Sequence, residues 1–308
     1  MSAHHGRPTG WVRRGDSPVP SVVRWYSQQA RDLPWRAPGV DGWAVLVSEV
    51  MLQQTPVARV LPVYEQWLTR WPEPAALAAH SPGDAVLAWG RLGYPRRALR
   101  LHEAAVAITE RHGGRVPADY ADLRALPGVG DYTAAAVASF AYGRRHVVLD
   151  TNVRRVLARI VDGRELPPVS ITAAERARAE ALLPAHPATA ARWAVASMEL
   201  GALVCTARAP RCDRCPVIDL CAWHAAGRPP DDGPPRKGQT YAGTDRQVRG
   251  RLLAVLRDAA PEAVPAGALA ACWDVSEQRD RALNGLVADG LVEAAGDEYF
   301  RLPGVATP

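Results

Sequence analysis

Leu126-Pro127-Gly128-Val129-Gly130, followed at once by Asp131-Tyr132-Thr133-Ala134-Ala135-Ala136, is the stretch that decides the fold. It lies between two helical patterns, broken by Pro127 and the glycines and restarted by the Ala-rich run. Two glycines around one apolar residue let the chain reverse sharply, leaving backbone N–H groups at the start of the next helix. A helix terminus of that kind attracts a phosphate oxygen. The same pentapeptide also serves as a plain helix–helix connection, so its meaning rests on its surroundings.

Outward from the hairpin, the pattern is helical from about Val22 to Ala226, with no sustained period-2 alternation. Helices are predicted over Trp43–Gln54, Ala98–Arg111, Tyr132–Tyr142 and Val153–Ile160. Residues 1–20 are polar and punctuated by Pro and Gly, and are expected to be disordered. Gly227–Gly238, GRPPDDGPPRKG, reads as the heart of a linker over 227–244. Beyond it, helices over Val248–Arg257, Gly267–Trp273 and Gln278–Asp289 precede GLVEAAGDEYFRL, two short strands around Gly296. Residues 245–308 thus form a small winged-helix-like module. The 308-residue length suits about two domains. No apolar run approaches the roughly 18 residues of a membrane span, and no apolar region follows the basic start. The expectation is a soluble, cytoplasmic protein.

Net charge is +5, from 37 basic and 32 acidic residues, and it is unevenly spread. The segment from Asp245 onward holds seven basic and ten acidic residues, net −3, which leaves +8 on residues 1–244. A polyanionic partner is therefore expected to bind the first four-fifths of the chain. Lys237 is the sole lysine, and it lies in the linker. Chemistry that needs a lysine amine in a folded site is nearly excluded.

Two carboxylates stand in opposite settings. Glu49 sits in WAVLVSEVML, flanked by apolar residues at nearly every helical neighbour. Burial there would raise its pKa and keep it protonated, as a general acid requires. Asp150 follows HVVL and opens the helix NVRRVLARI, where an N-cap carboxylate is held ionised by the helix dipole and backbone N–H groups. An acid paired with an ionised carboxylate is what glycosidic cleavage uses. Each also reads as a purely structural residue when taken singly. Four cysteines, Cys205, Cys212, Cys215 and Cys221, fall within seventeen residues at spacings x6, x2 and x5. In an intracellular protein this is a metal site rather than a disulfide pair. Only the middle pair has zinc-site spacing. An iron–sulfur cluster is the better match, with zinc still open. Arg208, Arg211 and Arg214 would give the loop a cationic face.

These motifs, with RDLPWR (31–36), SEVMLQQTPV (48–57), LGYPRRA (92–98), LPGVGDYTAAA (126–136), LDTNVRRVLAR (149–159) and MELGALVC (198–205), run in one collinear order from about Trp25 to Trp223. Together they resemble the helix-hairpin-helix DNA glycosylase superfamily, and within it the adenine-specific branch. The resemblance implies a mainly α fold of two helical subdomains with a cleft between them. One is the helix-hairpin-helix subdomain, residues 43–146; the other, residues 21–42 plus 147–226, bears a [4Fe–4S] cluster held by the four cysteines. The partner implied is double-stranded DNA carrying adenine opposite 8-oxoguanine or guanine, bound by a monomer. The target nucleoside is flipped out, because its glycosidic bond is out of reach inside the stack.

By the same resemblance, Glu49 is the acid that protonates adenine N7. Asp150 stabilises the sugar cation, electrostatically or through a covalent bond, with Asn152 and Tyr132 beside these two. Arg31, Trp35, Arg36 and Leu52 line the base pocket. Gln54 and Tyr94 wedge into the stack, and Gly128, Val129, Gly130, Arg208 and Arg211 face DNA. Strand-cleaving relatives form a Schiff base with a lysine just after the hairpin. Tyr132 stands there, so a monofunctional glycosylase without lyase activity is expected. Three departures accompany the match: Val195 where Gln or Glu is common, Thr151 where Gly is common, and a short acidic segment where many relatives carry a Nudix-like domain. The competing readings are a thymine or uracil mismatch glycosylase, and a non-catalytic iron–sulfur DNA-binding protein. A pyrimidine has no N7 for Glu49 to protonate, and binding alone needs neither carboxylate.

Overall fold

The computed structural model describes residues 17–231, 233 and 241–305. Helices dominate, and a single three-stranded sheet lies near the C-terminal end of the described chain. No helix among the described residues is long and apolar enough to cross a membrane. The chain divides into two compact units: the described residues of Met1–Pro38 with Ala135–Pro234, and those of Gly39–Ala134 with Pro235–Pro308. The division falls inside the helix Asp131–Phe140 rather than at residue 146.

In the first unit, the helices Val19–Gln29, Thr151–Ile160 and Pro187–Leu203 close around Val22, Val156, Ala190, Ala196 and Leu200, all essentially without solvent contact. Most of the segment 1–20 lies outside the described residues. Its end is helical, not disordered, because Val19 is buried against this core and Pro18 is compatible with a first turn. The opening of the expected linker is also ordered: Trp223 Nε1 donates to the Pro229 carbonyl at 2.8 Å, and the Asp231 N–H donates to Glu165 at 2.7 Å. Lys237 lies outside the described residues.

In the second unit, tryptophans build the core. Trp67 meets Trp71 and Trp89 edge-on, with ring centroids 4.7 and 5.6 Å apart. Trp43 Nε1 donates to the Trp71 carbonyl at 3.0 Å, tying in the helix Gly42–Leu52. That helix is apolar on all sides and buried nearly throughout, as such a pattern demands. Asp41 caps it by accepting from the Ala44 N–H.

The C-terminal segment folds as expected, three helices (Asp245–Ala259, Ala266–Ala270, Ser276–Ala288) and a hairpin, with one strand more. Strand β1 (Val264–Pro265) joins β2 (Glu293–Ala294) and β3 (Tyr299–Arg301) in the antiparallel order β1-β3-β2. It does not stand apart as a separate domain. The Gly83 N–H donates to the Pro303 carbonyl at 2.8 Å, and a Cβ at Gly83 would lie 2.5 Å from that oxygen. Arg257 Nε donates to the Val86 carbonyl at 3.0 Å, and Arg96 pairs with Asp289 at 3.4 Å.

Candidate active site

Glu49 is 5% exposed, on the helix Gly42–Leu52. Its carboxylate accepts a 2.8 Å hydrogen bond from the Tyr132 hydroxyl, on the first turn after the hairpin. The hairpin itself is built as its glycines require. Gly128 has φ +74°, and any Cβ there would meet the Arg100 Cβ at 2.6 Å. The Val129 side chain is buried and its N–H is spent on the Leu126 carbonyl, so Gly128 and Gly130 form the exposed part.

The helix expected to reach Gln54 stops at Leu52, whose side chain is partly buried. Gln53 leaves the helical region and Gln54 takes φ +54°. Tyr94 takes φ +48°. Left-handed backbone at a non-glycine residue costs about 1–3 kcal/mol and persists only where surroundings enforce it. Both residues are exposed, and both are the expected wedge residues.

In the other unit, Asp150 caps the helix Thr151–Ile160. Its Oδ1 accepts from the Val153 N–H at 2.6 Å and its Oδ2 from Asn152 Nδ2 at 2.7 Å. The expected cap is present, but the electrostatic expectation is reversed. Lost hydration raises the Asp150 pKa above the usual carboxylate range, outweighing the hydrogen bonds from Val153 and Asn152. Thr151 is exposed in the first helical position, where glycine is not required. Arg155 donates to Asn152 Oδ1 (2.8 Å), the Gly201 carbonyl (2.7 Å) and the Cys205 carbonyl (2.8 Å). Gly201 leaves room for Asn152 itself: a methyl there would lie 2.7 Å from the Asn152 Cβ. Asn152→Ala deletes a donor to the ionised form of Asp150. The acid-side limb of the single-turnover pH–rate profile is expected to move to higher pH, and a limb that stays in place would refute this role.

Arg31 and Arg36 come together on Glu199, an acid that the local sequence pattern does not single out. Glu199 is fully buried. It accepts Arg31 Nε (2.8 Å) and Nη2 (2.6 Å) as a fork, and Arg36 Nη2 at 3.0 Å. Burial opposes its ionisation, but the two guanidiniums win and depress its pKa to about 2. Arg36 Nη1 is buried and has no protein partner. Trp35 is buried in the turn Pro34–Arg36. The signal for Glu199 was an acid inside the apolar stretch MELGALV, the same signal that marked Glu49. Val195 packs against the hydrophobic core.

Cys205, Cys212, Cys215 and Cys221 line one cavity with Arg159 and Trp223. Among the described residues no three Cys, His, Asp or Glu side chains are grouped to hold a single metal ion. Four thiols around one cavity are the ligand set an iron–sulfur cluster takes. Burial pushes the Cys215 thiol up to about 11 and raises Cys221 as well, so these ligands ionise when a cation takes them. Arg159, almost wholly buried, points Nη1 at Cys205 Sγ from 3.4 Å. Arg208 and Arg211 are exposed on the same loop.

Residues 47–178 match the family model of HhH-GPD superfamily base excision DNA repair proteins, and residues 205–221 that of the iron–sulfur binding domain of endonuclease III. An adenine DNA glycosylase of Mycobacterium tuberculosis is 56% identical over 285 residues, 92% of this chain and 93% of the relative. The adenine DNA glycosylase of Homo sapiens is 43% identical over 209 residues, 65% of this chain and 38% of the human protein. A solved thermostable thymine-DNA glycosylase superposes with TM-score 0.61 at 26% identity, covering 68% of this chain and 95% of that one. The cysteine cavity is thus the seat of an iron–sulfur cluster. With its hairpin, its two carboxylates and this extent of shared sequence, the chain belongs to the adenine DNA glycosylase family of the helix-hairpin-helix base excision repair superfamily.

Proposed function

We propose that this protein removes adenine standing opposite 8-oxoguanine or guanine in double-stranded DNA, and leaves the strand intact. The observation that carries this reading is the 2.8 Å bond from Tyr132 to the buried Glu49. A protonated carboxyl at position 49 suits transfer of its proton to a purine N7, and the position where strand-cleaving relatives hold a lysine is occupied by the tyrosine that orients that acid. As the C1′–N9 bond breaks, its electron pair leaves with the protonated base. Asp150, once ionised, stabilises the cationic sugar; water adds at C1′ and gives its proton to solvent, from which Glu49 is reprotonated. Asn152 keeps the Asp150 carboxylate oriented. Arg31 and Arg36, fixed by Glu199, serve as pocket walls, and the spare buried N–H of Arg36 offers a donor to an acceptor nitrogen of the flipped base.

The cysteine loop holds a [4Fe–4S] cluster in this reading. Cys205, Cys212, Cys215 and Cys221 would hold it, and it would serve a structural part, fixing the loop that carries Arg208 and Arg211. The enzyme works as a monomer.

Single-turnover base release from four duplexes tests the function: A opposite 8-oxoguanine, A opposite G, T opposite G and U opposite G. Release is expected from the two adenine duplexes only. Thymine or uracil release at a comparable rate would move the chain to the pyrimidine-specific branch. Borohydride is expected to trap no enzyme–DNA adduct; trapping at enzyme-limited levels would overturn the monofunctional assignment.

A further inference from the structure

Two exposed side chains, Gln54 and Tyr94, come from turns forty residues apart in sequence, yet one guanidinium holds both turns. Arg97 Nη1 donates to the carbonyls of Val50 (2.9 Å), Met51 (3.0 Å) and Gln53 (2.6 Å), closing the end of the helix Gly42–Leu52 just before Gln54. Its Nη2 donates to Thr55 Oγ1 (3.0 Å), just after Gln54, and to the Gly93 carbonyl (2.9 Å), just before Tyr94. Thr55 Oγ1 lies 3.4 Å from the Leu92 carbonyl, a second tie between the turns. The Arg97 guanidinium also lies over the Trp89 and Tyr94 rings, at 5.1 and 5.6 Å from their centroids. Both Gln54 and Tyr94 sit at positive φ, and the carbonyls beside them are the ones Arg97 grips.

We propose that Arg97 is a positioning residue that locks these two turns together, so that Gln54 and Tyr94 enter the base stack as one preformed wedge. The inference rests on the reading that these two side chains wedge into DNA. With Nε reaching the Tyr94 carbonyl at 3.4 Å, the planar guanidinium meets six acceptors on two segments; a lysine ammonium, with three donors at one point, does not span them. Forming the wedge before DNA arrives removes the cost of ordering two turns during base flipping.

The test uses the full-length, cluster-loaded enzyme and two duplexes: one with 2-aminopurine at the target position, whose emission rises on leaving the stack, and one with adenine there for the rate of base release. Arg97→Lys is expected to remain folded, with a lower melting temperature from the carbonyls it leaves unpaired, and to bind both duplexes. It should lose the emission rise and release adenine on the order of 10²-fold more slowly in a single turnover, the scale of a small misplacement of reacting groups. Gln54→Ala/Tyr94→Ala should show the same loss, and adding Arg97→Lys to it should change the rate by no more than about threefold, because one step is removed either way. If the double variant loses the emission rise and Arg97→Lys keeps it, or if the losses multiply, the assignment to Arg97 is wrong. If the double variant keeps the rise, the wedge reading fails and takes this proposal with it. Should Arg97→Lys not fold, Thr55→Val removes one acceptor of the clamp at similar volume. A weakened emission rise then supports the clamp, and a wild-type rise refutes it.

Discussion

Glu49→Gln and Asp150→Asn are each expected to bind an A:8-oxoguanine duplex with near wild-type affinity and to release adenine about 10³-fold more slowly. The two losses have different origins. The amide introduced by Glu49→Gln still accepts from the Tyr132 hydroxyl, so the 2.8 Å contact is replaced in kind, but it has no proton to give N7. Asp150→Asn leaves an amide oxygen that accepts from the Val153 N–H and keeps the helix capped. That neutral amide cannot offset positive charge at C1′. Because burial lifts the Asp150 pKa, wild-type activity should fall on acidification at a pH above the ordinary carboxylate range. Asp150→Asn should abolish that limb in whatever rate remains. Single-turnover rates across pH, with affinity measured on a non-cleavable duplex, check all of this. Residual adenine release within about tenfold of wild type in either variant, well short of what an acid or charge-stabilising group supplies, would remove that residue from the chemistry.

Glu199→Gln is expected to be the costliest change in stability, about 3 kcal/mol. Removing one member of a buried charge cluster strands the others. Here the stranded charges are Arg31 and Arg36, whose side chains retain 34% and 15% exposure, which places the cost at the lower end for broken buried pairs. The sign of the pH dependence follows from the depressed pKa, about 2 when folded against an ordinary 4.5. The Glu199 contribution is complete above the unfolded value and disappears as pH falls from about 4.5 toward 2. Urea melts of wild type and variant should converge over that interval. A difference independent of pH would mean that the carboxylate's charge is not what stabilises the cluster. Adenine release should fall too, since Arg31 and Arg36 would lose the partner that fixes them.

What was legible in the sequence is what is local. The hairpin announces itself through adjacent glycines, the cysteine loop through spacing, Asp150 through its place before a helix, and Glu49 through the apolar residues around it. What escaped depends on residues distant in the chain. Glu199 meets Arg31 and Arg36 across 168 and 163 positions, so its apolar neighbours hinted at burial but not at partners. The expected helix over Trp43–Gln54 stops two residues early, at the left-handed Gln54 ahead of Pro56, and Arg97 takes up the carbonyls of Val50, Met51 and Gln53 left at its end. The direction of the Asp150 pKa is not legible locally, since a cap is a local feature and loss of hydration is a tertiary one. The C-terminal segment looked separable from its linker-like flank. Its attachment to Gly83 and Val86 is invisible until the chain is folded.

Gly201 shows how far the active site reaches into apparently inert sequence. It sits inside a helix, with no functional group and no exposed surface, and would pass as a position free to drift to alanine. Yet the missing Cβ is space already occupied by Asn152, next but one to Asp150. In the currency of inherited variation, the smallest conservative change available at this codon displaces Asn152, beside the carboxylate proposed to stabilise the sugar cation. A sequence comparison that ranks substitutions by chemical similarity will score it as silent, and the enzyme will not.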